Sequence, residues 1–325
     1  MIDTTGANVR SSDGVEPAAD AADGMPSAVE PQASDGAKFE LPIFYINRDS
    51  DHQRRETIER QLNSIDGAKE RITAVDALNV PDDLRAYFFA GSKLVSPLNP
   101  GEVGCYASHL KTLRTIVERN LDYALVLEDD AIVPETIGSI VSEVTARLPA
   151  TWDVIHLCGT ARRAIKPVST LKGGRLLVRY SRVPGGAYGY LVSRAGAAKL
   201  LKRGIRYWPY DTDLRRPWLF DLQVYGVEPQ VITHGGTNAS VILAIGGRSR
   251  ARRGIPIPSR GAWTGNPLHC PEGVFFNLRT LGLASWLRCW CENLVSRFID
   301  IHRLPKPPQN GEAKRSPVKP AVRPD

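Results

Sequence analysis

Three carboxylates in succession, Glu128-Asp129-Asp130, follow directly on the apolar run Tyr123-Ala124-Leu125-Val126-Leu127. Like charges set side by side repel, and a bound cation is one way to offset them. Oxygen ligands alone suit Mg²⁺ or Mn²⁺, which take few carboxylates and complete their shells with water and phosphate oxygens. The apolar run reads as a buried strand, so the acids stand at its carboxyl end, where open α/β sheets bind ligands. The competing reading is a solvated acidic turn. Position after a buried strand is what brings the ion into consideration.

The elements around the triplet follow from periodicity. Residues 41–46, β-branched and aromatic, predict a first strand, and 72–75 a second, with a charged helix over 51–65 between them. Val103, Tyr106, Ala107, Leu110, Leu113 and Val117 mark one face of another helix. Strands are expected at 123–127, 152–157, 176–180 and 189–192, and a helix capped by Ser193 over 193–201. This alternation predicts an α/β domain, residues 39–245, around a mostly parallel central sheet flanked by helices.

The ends differ in kind. Residues 1–38, rich in Ala, Asp, Gly, Ser and Pro, hold too few large apolar groups to offset ordering entropy, so a disordered acidic N-terminus is expected. Residues 246–260 read as an Arg-, Gly- and Pro-rich loop. Leu283, Trp286, Leu287, Trp290, Leu294, Phe298 and Ile301 then recur every three or four residues, with Arg288, Glu292, Arg297 and Arg303 between them. That pattern is an amphipathic helix within a basic segment, 246–304, followed by a disordered basic tail, 305–325. The helix can pack on the domain as core or lie on an anionic membrane surface. No recognised nucleic-acid module surrounds it, and nucleic acid is not an expected partner.

Net charge is +7 over 325 residues, and its distribution says more than its sum. Residues 1–38 carry seven acids against two bases, whereas 246–325 carry fourteen Lys/Arg against five acids. A basic end of this kind implies an anionic partner. No stretch approaches the roughly 20 apolar residues of a spanning helix. The acidic start resembles neither a secretory signal nor a transit peptide. Cys105, Cys158, Cys270, Cys289 and Cys291 form no C-x-x-C pair, which argues against a disulfide scaffold or a structural zinc site. The expectation is a reduced, cytoplasmic protein.

Five blocks, in order over about residues 40–240, carry a family resemblance. They are Ile43-Phe44-Tyr45-Ile46-Asn47 with Arg54-Arg55, and Pro100-Gly101-Glu102-Val103-Gly104-Cys105 with Ser108-His109. Next come Tyr123 through Asp130, then Tyr188, Tyr190, Leu191-Val192-Ser193-Arg194 and Gly196-Ala197, and last Pro209-Tyr210-Asp211-Thr212-Asp213-Leu214. Together they resemble the bacterial lipooligosaccharide-type glycosyltransferases of family 25, whose relatives include collagen galactosyltransferases. The resemblance implies a GT-A-like nucleotide-diphospho-sugar transferase fold. It also implies inverting, metal-assisted transfer of a hexose, galactose or glucose, from a UDP-sugar-type donor to a lipopolysaccharide-type glycolipid at the inner face of the cytoplasmic membrane. A catalytically inactive, membrane-associated binding protein on the same fold is the alternative.

Carried over residue by residue, the resemblance assigns Glu128, Asp129 and Asp130 to a Mn²⁺ or Mg²⁺ ion. Donor contacts fall to Asn47, Arg54, Arg55, Asp76, Glu102 and His109. Inversion needs a carboxylate to take the acceptor's proton. Asp211 is the first choice, followed by Asp213 and then Asp221. Cys105 reads as a small buried hydrophobe. The sequence departs from the family pattern at Arg48, and at Thr233 and His234, which stand where a Gln is expected.

Overall fold

In the central strands successive side chains fall into two separate cores. The computed structural model describes residues 41–235, Leu268 and 270–296. The expectations for 1–38, 246–260 and 305–325, and for the end of the last helix beyond Ser296, lie outside the described residues. In chain order the elements are β1 (Ile43–Asn47), α1 (His52–Leu62), β2 (Lys69–Thr73), α2 (Asp82–Arg85), β3 (Phe89–Ala90), β4 (Lys93–Leu94), α3 (Pro100–Glu118), β5 (Tyr123–Glu128), β6 (Ala131–Ile132) and α4 (Ile137–Arg147). They continue with β7 (Val154–His156), β8 (Ile165–Thr170), β9 (Leu176–Tyr180), β10 (Gly189–Ser193), α5 (Arg194–Leu200), α6 (Tyr210–Leu214), β11 (Val224–Glu228), β12 (Thr233–His234), α7 (Pro271–Leu281) and α8 (Leu283–Val295).

Eight strands form one sheet in the order β2-β1-β5-β10-β7-β11-β9-β8. β1 pairs in parallel with β2 and β5, and β11 with β7. β10 runs antiparallel between β5 and β7, and β9 and β8 close the far side antiparallel. The sheet is therefore mixed: the expected parallel order holds at β2-β1-β5 and gives way from β10 onward. In β5, Ala124 and Val126 face the core shared with α3, while Leu125 and Leu127 face the core shared with α1 and α4. Burial on both faces is why these strands read as unbroken apolar strings.

The sheet's edge strands lack that signal. β8, absent from the sequence reading, has only half-buried and exposed residues. In β2 only Ile72 is buried, so the strand begins at Lys69, earlier than expected. Helix α3 begins with a reciprocal cap: the Glu102 N–H donates to Asn99 Oδ1 at 2.9 Å, and the Asn99 N–H donates to Glu102 Oε2 at 3.0 Å. Gly104 lets this helix close on the loop after β2, since a Cβ there would stand 2.6 Å from the Val75 carbonyl oxygen.

Helices α7 and α8 dock on the β8/β9 side. Asn293 Oδ1 accepts from the Ala164 N–H at 2.9 Å, Asn277 Nδ2 donates to the Ser181 carbonyl at 2.9 Å, and Lys166 Nζ donates to the Leu281 carbonyl at 2.8 Å. The docked face of α8 centres on Cys289, whereas Leu283, Leu287, Trp290 and Leu294 are exposed. Polar bonds hold the helix in place, and its apolar stripe points outward.

At the end of β11, Glu228 is 1% exposed. Its Oε1 accepts from the Ala161 N–H at 2.9 Å and the Tyr180 hydroxyl at 3.2 Å, while Oε2 has no partner. Burial lifts its pKa from 4.5 to about 7. A carboxyl raised in this way favours the fold fully below pH 4.5 and loses that contribution as pH rises through 7. Glu228→Gln should therefore raise Tm at pH 8, by on the order of 2–3 kcal/mol of stability, with the gain vanishing near pH 4. Paired thermal melts at the two pH values check this; an equal Tm at pH 8 refutes it.

Candidate active site

The carboxyl ends of β1, β2 and β5 open into a cavity of about 560 Å³, closed on its other side by the first turns of α3. Asn47 ends β1, Asp76 follows β2, and Glu128 and Asp129 come from β5 and the turn after it. Pro100, Gly104, Cys105, Ser108 and His109 of α3 form the facing wall. Parallel order at β2-β1-β5 is what gathers three strand ends at one edge.

The triplet does not present three equivalent carboxylates. Asp129 has both oxygens engaged: Oδ2 accepts from Asn47 Nδ2 at 2.8 Å and Oδ1 from Arg54 at 2.8 Å. Arg54 reaches on to Asp130 Oδ2 at 3.2 Å, and His234 Nε2 lies 3.1 Å from that same oxygen. Asp130 Oδ1 is buried and has no hydrogen-bond partner. Burial, and then the charge of Glu128, raise the Asp130 pKa, against His234 and Arg54. Burial also raises Asp129, despite Asn47 and Arg54.

The three acids are not interchangeable as ligands for a divalent ion. The unpartnered Asp130 Oδ1 is an oxygen ligand of the kind Mg²⁺ and Mn²⁺ take, and Glu128 lines the cavity. Asp129 instead holds Asn47 and Arg54 in place. Asn47 is itself fully used, since its Oδ1 accepts from Arg71 Nε at 3.1 Å.

The expected donor residues divide. Asn47, Arg54, Asp76 and His109 line the cavity, with Glu102 and Arg55 outside that lining. The Glu102 carboxylate is spent on the α3 cap described above. Arg55 turns away, pairing with Glu59 at 2.9 Å. Asp76 accepts from the Leu78 N–H at 3.0 Å, which shapes the loop at the cavity rim.

Among the base candidates, Asp211 stands in the first turn of α6. Burial raises its pKa, opposed by Arg215 and Thr212 and reinforced by the charge of Glu128. Asp211 is not among the residues that line the cavity. Asp213 is buried and committed elsewhere: Oδ2 accepts from the Tyr106 hydroxyl at 2.9 Å, and Oδ1 from Arg216 at 2.5 Å. Its carboxylate braces α6 and has no oxygen left for an acceptor. Asp221 is exposed, pairs with Arg279, and sits at a positive φ of 51° in a turn before β11.

Two features escaped the sequence reading. His109 is stacked on Tyr210 at 4.0 Å between ring centroids and 7° between planes. Its Nδ1 lies 3.0 Å from the Tyr190 hydroxyl, which in turn meets the Tyr210 hydroxyl at 2.8 Å. Cys105, one turn before His109, belongs with it and Glu128: the ligand atoms of all three lie within 4.8 Å of one another. The Cys-x₃-His spacing on a helix is the signal that the sequence carries for it.

With this geometry in view, comparison with known proteins becomes informative. Procollagen galactosyltransferase 1 of Danio rerio is 31% identical over 189 residues, 53% of this chain and 30% of that protein. Procollagen galactosyltransferase 2 of Homo sapiens is 27% identical over 190 residues, 54% of this chain and 29% of its own length. The chain thus spans under a third of the length of these relatives. A solved glycosyltransferase involved in the glycosylation of the major capsid of PBCV-1 aligns over 61% of this chain and 95% of its own, with a TM-score of 0.37 and 11% identity. The model of glycosyltransferase family 25 (LPS biosynthesis protein) matches residues 40–214, a span that holds the cavity's lining, the acid triplet and α6. By that match, over more than half its length, the chain belongs to glycosyltransferase family 25.

Proposed function

We propose that the chain transfers a hexose, galactose or glucose, from a nucleotide-diphospho-sugar of the UDP-sugar class to a lipopolysaccharide-type glycolipid. The transfer proceeds with inversion, on a GT-A-like fold. The observation that carries this reading is the cavity at the ends of β1, β2 and β5, lined by Asn47, Arg54, Glu128 and Asp129, the last followed in the chain by Asp130, whose buried Oδ1 has no partner. Its volume of about 560 Å³ lies within the usual range for a small-molecule site.

Glu128 and Asp130 would hold Mn²⁺ or Mg²⁺, which supplies charge neutralisation at the leaving diphosphate. Arg54 adds a fixed positive charge beside them, oriented by Asp129 and Asp130. Asn47 and Asp76 set the cavity wall against which the nucleoside rests. The Asp211 carboxylate takes the proton of the acceptor hydroxyl as that oxygen bonds to the anomeric carbon and the bond to the diphosphate breaks. Measuring nucleotide release over a panel of sugar donors, with and without acceptor glycolipid, tests the reading. Release from none of them, with divalent ion present, overturns it.

The acceptor class is supported by the outward stripe of α8. Leu283, Leu287, Trp290 and Leu294 are exposed on a helix from the strongly basic part of the chain, which suits an anionic membrane surface. Among the described residues no helix is long and apolar enough to cross a membrane. Leu287→Asp with Leu294→Asp should reduce co-sedimentation with anionic vesicles by roughly tenfold or more and leave Tm unchanged. Undiminished binding rules the stripe out as the contact.

A further inference from the structure

Cys105, His109 and Glu128 meet from two elements. Cys105 and His109 lie four residues apart on α3 and so project from one face, one turn apart. Glu128 ends β5 opposite them. His109 Nε2 stands 3.4 Å from Glu128 Oε1, and the Cys105 sulfur completes a group whose ligand atoms all lie within 4.8 Å of one another. A tetrahedral ion with bonds of about 2.0–2.3 Å separates its ligand atoms by about 3.3–3.7 Å. The three atoms need only small movements to match that spacing.

The surroundings agree with the geometry. His109 is oriented through its other nitrogen by Tyr190 and by stacking on Tyr210, the arrangement in which imidazole ligands are held. When Nδ1–H donates to the Tyr190 hydroxyl, Nε2 presents its lone pair to the Glu128 carboxylate. Two acceptors then face one another, and a cation between them satisfies both. Burial, and then the charges of Glu128, Asp211, Glu102 and Asp130, hold the Cys105 thiol well above its ordinary pKa. All three residues line the cavity, so a fourth coordination position opens toward it.

We propose that Cys105 Sγ, His109 Nε2 and a Glu128 oxygen form a three-ligand site for a thiophilic divalent ion of the Zn²⁺ class. The donor set separates this site from the hard-ion pair of Glu128 and Asp130: thiolate and imidazole favour Zn²⁺ or Co²⁺ over Mg²⁺. On binding, the thiol proton passes to solvent and the sulfur bonds to the metal, with no change of oxidation state. Because Glu128 belongs to both sets, an ion bound here draws that carboxylate toward α3. The site stands whether or not the chain transfers a sugar, so its failure and that of the transferase reading are distinct.

The test uses the full chain, stripped of metal by chelator and titrated with Co²⁺. One equivalent is expected to give an intense thiolate-to-cobalt absorption with tetrahedral ligand-field bands. Cys105→Ser should abolish the thiolate band, and Asp130→Asn should retain it. Excess Mg²⁺ should leave the thiolate band in place. A band that persists in Cys105→Ser, or an octahedral spectrum alone, overturns the proposal. A second measurement guards against a variant that does not fold: alkylation of Cys105 in the unaltered protein, located by peptide mass spectrometry, should slow at least tenfold when Zn²⁺ is added. Equal labelling with and without Zn²⁺ also overturns it.

Discussion

Asp211→Asn is expected to lower turnover by on the order of a hundredfold or more, with donor affinity little changed. The substitution keeps the shape of the side chain and its place in the first turn of α6 but removes its capacity to accept a proton. Burial raises the carboxyl's pKa, which makes it a stronger base once ionised. The acidic limb of kcat/KM in the unaltered enzyme should accordingly sit above the ordinary carboxylate range and disappear in the variant. The rival assignments predict something else. Asp213→Asn replaces one of the two oxygens that the Tyr106 hydroxyl and Arg216 separately bond and removes the charge paired with Arg216, so its loss should appear as a lower Tm. Asp221→Asn, at the surface, should change neither. A variant Asp211→Asn with full turnover removes Asp211 from the chemistry.

How much of this was legible beforehand depends on what each residue buries. Strands β1, β5 and β10 announce themselves because both faces are covered, so their interior positions select apolar side chains. β8 and β2 carry Lys, Arg, Ser or Thr because an edge strand satisfies its backbone without burying both faces. The reversal at β10 was invisible for a different reason. Direction within a sheet is set by the route between strands, and a fully apolar strand looks the same either way.

At the site, residue types suggested chemistry but did not reveal partners. Glu102 looked like a ligand, and it is a helix cap, a use the Asn-Pro-Gly-Glu spacing already encodes. Arg54 and Arg55 looked equivalent. The rotation of about 100° between neighbouring helix positions puts Arg54 on the two aspartates and Arg55 on Glu59. Cys105 looked inert because one cysteine alone carries little information. Its meaning lies in which side chains β5 brings opposite it, and that is a property of the fold.

Asp130→Asn should abolish most transfer while leaving the protein at least as stable, and the two effects have one cause. Asp130 carries its charge into a buried place beside Glu128, so burial and like charge both push its pKa upward. Folding at neutral pH therefore works against this carboxylate: a group with a raised pKa contributes most when protonated and loses that contribution as pH rises through the shifted value. An ion shared with Glu128 offsets the cost when bound. Asn keeps an oxygen for Arg54 and discards the buried charge, so Tm without metal should stay level or rise. The same change removes an anionic oxygen from the ion. Loss of one such ligand costs on the order of 3–4 kcal/mol of transition-state stabilisation, or about a hundredfold to a thousandfold in rate. Divalent-ion titrations of donor affinity, paired with melts in chelator, measure the two halves separately. Transfer that persists in excess chelator, or a variant that melts well below the unaltered chain, would sink the assignment of Asp130 as the ligand that folding sacrifices for function.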